Sequence, residues 1–204
     1  MRNREKSTTM IDKAKDHCTQ LLLNGSCTKL PFHNIEHTKE VVGNARLISN
    51  YLGFTDDETE PILIAAWFHD TGLSKTYIGH EEVSKALASE FLKKMHYDPY
   101  RLDTVLECID ATKMPQYPKN KYAEVLCDAD LFHIGTPNFF FKKLLLRREW
   151  AVNGIMNVNE MEWHHINLKF LRENHFKTKY GKDILEKGKL ANEAKVKYIL
   201  SFYN

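Results

Sequence analysis

Apolar residues recur at helical spacing through most of this chain. Val41, Ala45, Ile48 and Leu52 share one helical face, and so do Val83, Leu87 and Phe91. Leu102, Val105, Leu106 and Ile109 make a third stripe. No run alternates apolar and polar residues convincingly, so strands have little to build on. Proline and glycine fall between the stripes, as at Pro31, Gly53, Gly72, Gly79, Pro99, Pro115, Pro118, Gly135, Pro137 and Gly154. The pattern implies an all-α bundle of roughly eight or nine helices. A chain of 204 residues can enclose a sizeable core, and no repeat or linker divides it, so 1–204 reads as one domain.

Start and stop signals sharpen the pattern. Asn34 caps a helix from about Ile35 that ends near Gly53, with Glu36 in its positive first turn. Thr55 with Glu58 makes a capping box for the next helix, which carries "ILIAAWF" and stops at Gly72. Later helices are expected over 80–96, 99–112, 121–133, 137–153, 159–175 and 178–203. "ATKMPQYPKN" is the clearest loop.

Several function classes lose support. The net charge of +2 gives no electrostatic case for nucleic acid or an acidic membrane. "ILIAAWF" is far short of a bilayer span, and the polar N-terminus lacks the apolar core of a signal peptide. Cys18, Cys27, Cys108 and Cys127 form no C-x-x-C pair and read as reduced thiols. The expectation is a soluble, cytoplasmic protein.

Chemistry concentrates in three segments. "FHNIEH" sets His33 and His37 one helical turn apart, with His33 outside the cap, free to meet a substrate, and His37 inside the helix. "AAWFHDTG" places His69 beside Asp70. Adjacent helical residues point about 100° apart. They can share a metal only at the edge between them, near a helix end. "LCDADLFHIG" sets Asp128 and Asp130 in apolar surroundings, where carboxylates need a partner or a metal. Two imidazoles and two carboxylates suit Mn, Fe, Mg, Ni or Zn more than a thiolate-seeking metal. Each segment alone has a plainer reading, as exposed helix histidines, a chance dipeptide or a cap.

Taken in order, "HNIEHTKEVV", "AAWFHDTG", "HEEVSKALASEFL" and "EVLCDADLFHIG" resemble the HD-domain superfamily of metal-dependent phosphohydrolases, in its small single-domain bacterial form. The resemblance implies an HD-type helical bundle and one divalent metal held by His37, His69, Asp70 and Asp130, with a second metal in some relatives. Asp130 is preferred to Asp128 because the family ligand follows Ala. "FHNIEH" is also similar to the "YHN..H" segment of cyclic-nucleotide phosphodiesterases. That similarity implies His33 as the acid that protonates the leaving oxygen. No counterpart of their base-binding glutamine segment stands out.

The implied activity is hydrolysis of a phosphate ester or anhydride by metal-activated water, with nucleotides as the substrate class. Asp70 then serves both metal and chemistry. Lys113 is the first candidate for positioning phosphate, and His80, Lys75 and Arg147 are further substrate contacts. Solvated lysines and a helix-start histidine are the plainer readings. "NFFFKKLLLRREW" reads as a buried helix or a homodimer contact, with Lys142 and Lys143 pointing outward; a membrane-surface helix fits less well. Rival readings are a nucleotide-binding signalling module without turnover, a purely structural bundle, and a paired-iron oxygenase drawing on His80 and His133.

Overall fold

The computed structural model describes residues 9–25 and 29–203. Cys27 and most of the N-terminal decapeptide lie outside the described residues. The elements are α1 (Met10–Asn24), α2 (Ile35–Tyr51), α3 (Asp56–Phe68), α4 (His80–Lys94), α5 (Pro99–Ala111), α6 (Lys121–Asp130), α7 (Phe139–Val152), α8 (Glu160–Glu173) and α9 (Glu186–Leu200). The fold is all-α, with no strand among the described residues.

The expected caps are present. The Asn34 side chain accepts from the backbone N–H groups of Glu36 and His37. Thr55 and Glu58 close their capping box at the start of α3. Helix α1 was not anticipated, although Thr9 and Asp12 start it with a capping box of their own. Two expected helices change type within their span. Residues 121–133 are α-helical only to Asp130, then tighten into a 3₁₀ turn at Leu131–Gly135. The last segment opens with a π turn at Gly181–Leu185 before α9 begins.

Helix α3 is apolar all round because it is the centre of the bundle. Every residue from Ile62 to Phe68 is buried. Its Pro61 lacks the N–H that would bond the carbonyl of Asp57. Arg101 of α5 donates to that carbonyl instead, at 2.9 Å. A large apolar cluster joins α1 to α6 around α3. A smaller one, with Ile134, Phe139, Leu171, Phe176, Leu185, Val196 and Leu200, joins α7 to α9.

Helix α7 turns a different face inward from the one expected. Phe139, Lys143, Leu146 and Glu149 are buried, while Phe141 and Leu144 are exposed. Lys142 does reach outward, to Glu40, but Lys143 does not. The run is apolar on both sides, so periodicity alone does not select the packed face. No helix among the described residues is long and apolar enough to cross a membrane.

Candidate metal centre and its cavity

The His-Asp pair sits where α3 ends. His69 caps the helix at φ −51°, ψ −39°, and Asp70 leaves it at φ −106°, ψ 3° before a 3₁₀ turn over Thr71–Ser74. The change of path lets both side chains aim at one point. Gly72 makes the turn possible. A Cβ there would lie 2.0 Å from the carbonyl oxygen of His80, so α4 packs directly on the backbone after the pair. Gly79, at φ +70°, starts α4 from a left-handed conformation that suits glycine.

His37, on the first turn of α2, comes to the same point. Its Nε2 lies 3.6 Å from Asp70 Oδ2 and 3.2 Å from Asp130 Oδ1. His69 Nε2 lies 3.1 Å from Asp70 Oδ2 and 3.9 Å from Asp130 Oδ1. Donor atoms of His37, His69 and Asp70 all lie within 4.8 Å of one another. His37 Nε2, His69 Nε2 and Asp70 Oδ2 are buried with no hydrogen-bond partner. Orphaned polar atoms of this kind are costly unless something fills the gap between them. His69 Nδ1 pairs with the carbonyl of Ala66 at 2.8 Å, which assigns Nδ1 as donor, so that the neutral ring would present its Nε2 lone pair to the cluster. These residues fit a divalent ion: nitrogen and oxygen donors converge, and their charge attracts a cation. Burial disfavours protonation of His69, yet Asp70 and Asp130 raise its pKa to about 9. Burial likewise opposes ionisation of Asp70, but His69, His80 and His33 hold its carboxyl well below the usual range.

Asp128 and Asp130 separate cleanly. Asp128 accepts from the backbone N–H groups of Lys177 and Thr178 and from the Thr178 hydroxyl, at 2.8, 2.8 and 2.7 Å. It ties α6 to the chain before the π turn, and burial pushes its pKa up. Asp130, two residues on, turns to the histidines, with Gln116 Nε2 3.4 Å from its other oxygen.

His33 is not free outside its cap. Its Nδ1 pairs with Glu149 of α7, whose other oxygen accepts from the backbone N–H groups of Phe32 and His33 at 2.8 and 2.9 Å. Tyr77 donates to Glu149 at 2.8 Å. Burial opposes the charge on His33, but Glu149 and then Asp70 prevail and raise its pKa. Burial also opposes ionisation of Glu149, which His33 overcomes and lowers. His80 Nδ1 lies 3.0 Å from the Tyr77 carbonyl, while its Nε2 stands 3.4 Å from Asp70 Oδ1, the oxygen opposite the cluster.

These groups border a cavity of about 210 Å³ whose lining includes His33, Asp70, His80, Asp130, His133 and Lys143 among apolar side chains. Three expected substrate contacts lie elsewhere. Lys75 is exposed and borders a separate depression with His17 and Asn24. Lys113 is exposed too; its neighbours Thr112 and Met114 line the cavity in its place. Arg147 donates to the Val158 carbonyl at 2.8 Å and lies over the Trp163 ring, so it is committed to packing α7 against α8. Glu149 and Lys143 were missed. A lysine and a glutamate inside "NFFFKKLLLRREW" do stand out against apolar neighbours, but their depth depends on which face of α7 packs.

The family model described as HD domain matches residues 34–135. No protein with a curated description matches the chain. Among solved structures, one described as a "predicted HD superfamily hydrolase" from an uncultured Thermotogales bacterium superposes with a TM-score of 0.64. That superposition covers 94% of this chain and 92% of the other, at 17% identity, and it supports the same fold. The matched segment is half of the chain and carries His37, His69, Asp70, His80 and Asp130, so the protein belongs to the HD-domain family.

Proposed function

We propose that the protein is a metal-dependent phosphohydrolase acting on a nucleotide or a comparable small organic phosphate. One observation carries the reading: His37 Nε2, His69 Nε2 and Asp70 Oδ2 converge, buried and unpartnered, at the edge of a cavity that also holds a clamped histidine. A divalent ion bound there would polarise the phosphate and lower the pKa of a coordinated water. The chain's own residues supply the rest. His37, His69, Asp70 and Asp130 would hold the ion. His33 carries a proton, with Nδ1 engaged by Glu149 and its other ring nitrogen left to act. Attack by the water oxygen, its proton released to solvent, would form one phosphorus–oxygen bond as another breaks, and the departing oxygen would take the His33 proton, which solvent restores. Leu131, Leu146, Trp150 and Phe170 restrict water around these groups. The nucleotide preference rests on resemblance to the superfamily.

The test is a hydrolysis screen of nucleotides and simple phosphate esters with Mn, Ni, Mg, Fe and Zn, with Asp70→Ala alongside. Metal-dependent phosphate release that disappears in the variant supports the proposal. Tight nucleotide binding without turnover under any metal would instead favour a signalling module.

A further inference from the structure

Lys143 is the group for which the proposed chemistry has no use. It is 5% exposed and lines the same cavity as His33 and Asp130. Its Nζ lies 3.7 Å from the centroid of the Phe170 ring. Among the described residues no carboxylate lies within ion-pair distance of it; the ion pairs of α7 belong to Lys142 with Glu40 and Glu149 with His33. A buried ammonium stripped of water and left without a counter-charge costs stability. An aromatic face compensates only in part. Burial accordingly lowers the Lys143 pKa to about 7, with Asp130 opposing the shift.

A second polar group without a partner adjoins it. His133 Nε2 is buried and makes no hydrogen bond, and this residue lines the cavity as well. Burial and then Lys143 hold His133 well below its ordinary pKa. Helix α7 therefore brings a cation, and the 3₁₀ turn after Asp130 a ring nitrogen, to one cavity wall with no protein group to receive either. Leu146, Trp150 and Phe170 close that region with apolar surface, which strengthens a charge–charge contact by excluding water.

We infer that Lys143 receives a second anionic group of the substrate, one other than the phosphate held at the metal cluster, so the substrate class is a small phosphate carrying two anionic groups. This rests on the phosphohydrolase reading and narrows its substrate class. Under this assignment a phosphate monoester offers the ammonium no anionic group of its own. A diphosphate, or a phosphate joined to a carboxylate by a short linker, would pair it. A cavity of about 210 Å³ has room for such a head group.

The experiment measures binding to the Mn-loaded protein by calorimetry, using three non-hydrolysable probes: methylenediphosphonate, phosphonoacetate and methylphosphonate. The first two carry two anionic groups and differ in the second, phosphonate or carboxylate. Methylphosphonate carries one. At least one two-anion probe should bind the wild type about tenfold or more tightly than methylphosphonate, as expected of a charge-assisted contact. In Lys143→Met that ratio should fall close to one, and in Lys143→Arg it should persist in part. Lys143→Met keeps the volume and removes a buried charge, so its melting temperature should hold or rise. Equal affinities for all three probes in the wild type, or an undiminished ratio in Lys143→Met, would overturn the inference. Hydrolysis is scored separately: absent turnover with a Lys143-dependent ratio would remove the enzyme reading and leave the second-anion site in place.

Discussion

Glu149 stands 116 residues from His33 and engages both its ring Nδ1 and, at 2.9 Å, its backbone N–H. One buried carboxylate thereby fixes the position, tautomer and charge of the residue proposed to protonate the leaving group. His33 has its pKa raised above 6.5, so its contribution to stability is complete below pH 6.5 and is lost as pH rises through the folded value. Glu149 is lowered from 4.5, so its contribution is complete above pH 4.5 and is lost as pH falls through the folded value. The two overlap fully between pH 4.5 and 6.5. Glu149→Gln should therefore lower the melting temperature most in that window. The variant should also shift the alkaline limb of kcat to lower pH and reduce kcat roughly 10- to 100-fold. A stability loss independent of pH, with an unmoved limb, would contradict this role.

The neighbouring aspartates should respond in opposite ways. Asp128→Ala leaves three donors from Lys177 and Thr178 without an acceptor, and should cost about 3 kcal/mol. Asp130→Ala removes a carboxylate facing two histidines and should change stability by less than about 1 kcal/mol while weakening metal binding. Denaturant unfolding combined with metal titration separates the two. Undiminished metal affinity in Asp130→Ala would exclude that carboxylate as a ligand.

Metal itself should stabilise the fold. Mn or Ni added to chelator-treated protein at a hundredfold excess over Kd should contribute about 2.7 kcal/mol. Thermal unfolding with and without metal reads this directly. Asp70→Ala and His69→Ala should lose the increment, because each removes one of the buried atoms that lack a partner.

Gly72→Ala should damage the centre without touching a donor atom. The new Cβ would meet the His80 carbonyl, forcing α4 away from the turn after Asp70. The expected cost is about 1–3 kcal/mol, together with weaker metal binding measured by titration. Unaltered stability and affinity would mean that α4 and this turn move apart freely.

Local signals made much of this protein legible from its sequence. The caps at Asn34 and Thr55 involve residues within one turn, so spacing alone identifies them. The central burial of α3 follows from an apolar run with no polar face. The family motifs and helical spacing likewise marked His37, His69, Asp70 and Asp130 as a candidate set. What spacing could not supply was the bend at the end of α3, where a change of backbone path after His69 aims adjacent side chains at one point.

The tertiary structure decided the rest, because those choices depend on which faces meet. Asp128 and Asp130 have similar apolar neighbours in sequence, and only the approach of Lys177 and Thr178 commits one of them to holding the fold. Lys113, Lys75 and Arg147 lie near plausible motifs, but their side chains are not among those that line the cavity. Helix α7 is apolar on two sides, and the docking of one side carries Lys143 and Glu149 inward. The sequence determined most of the helices through local periodicity, and its family motifs marked the candidate donors. Only the packing of distant helices determined which charges those donors would face.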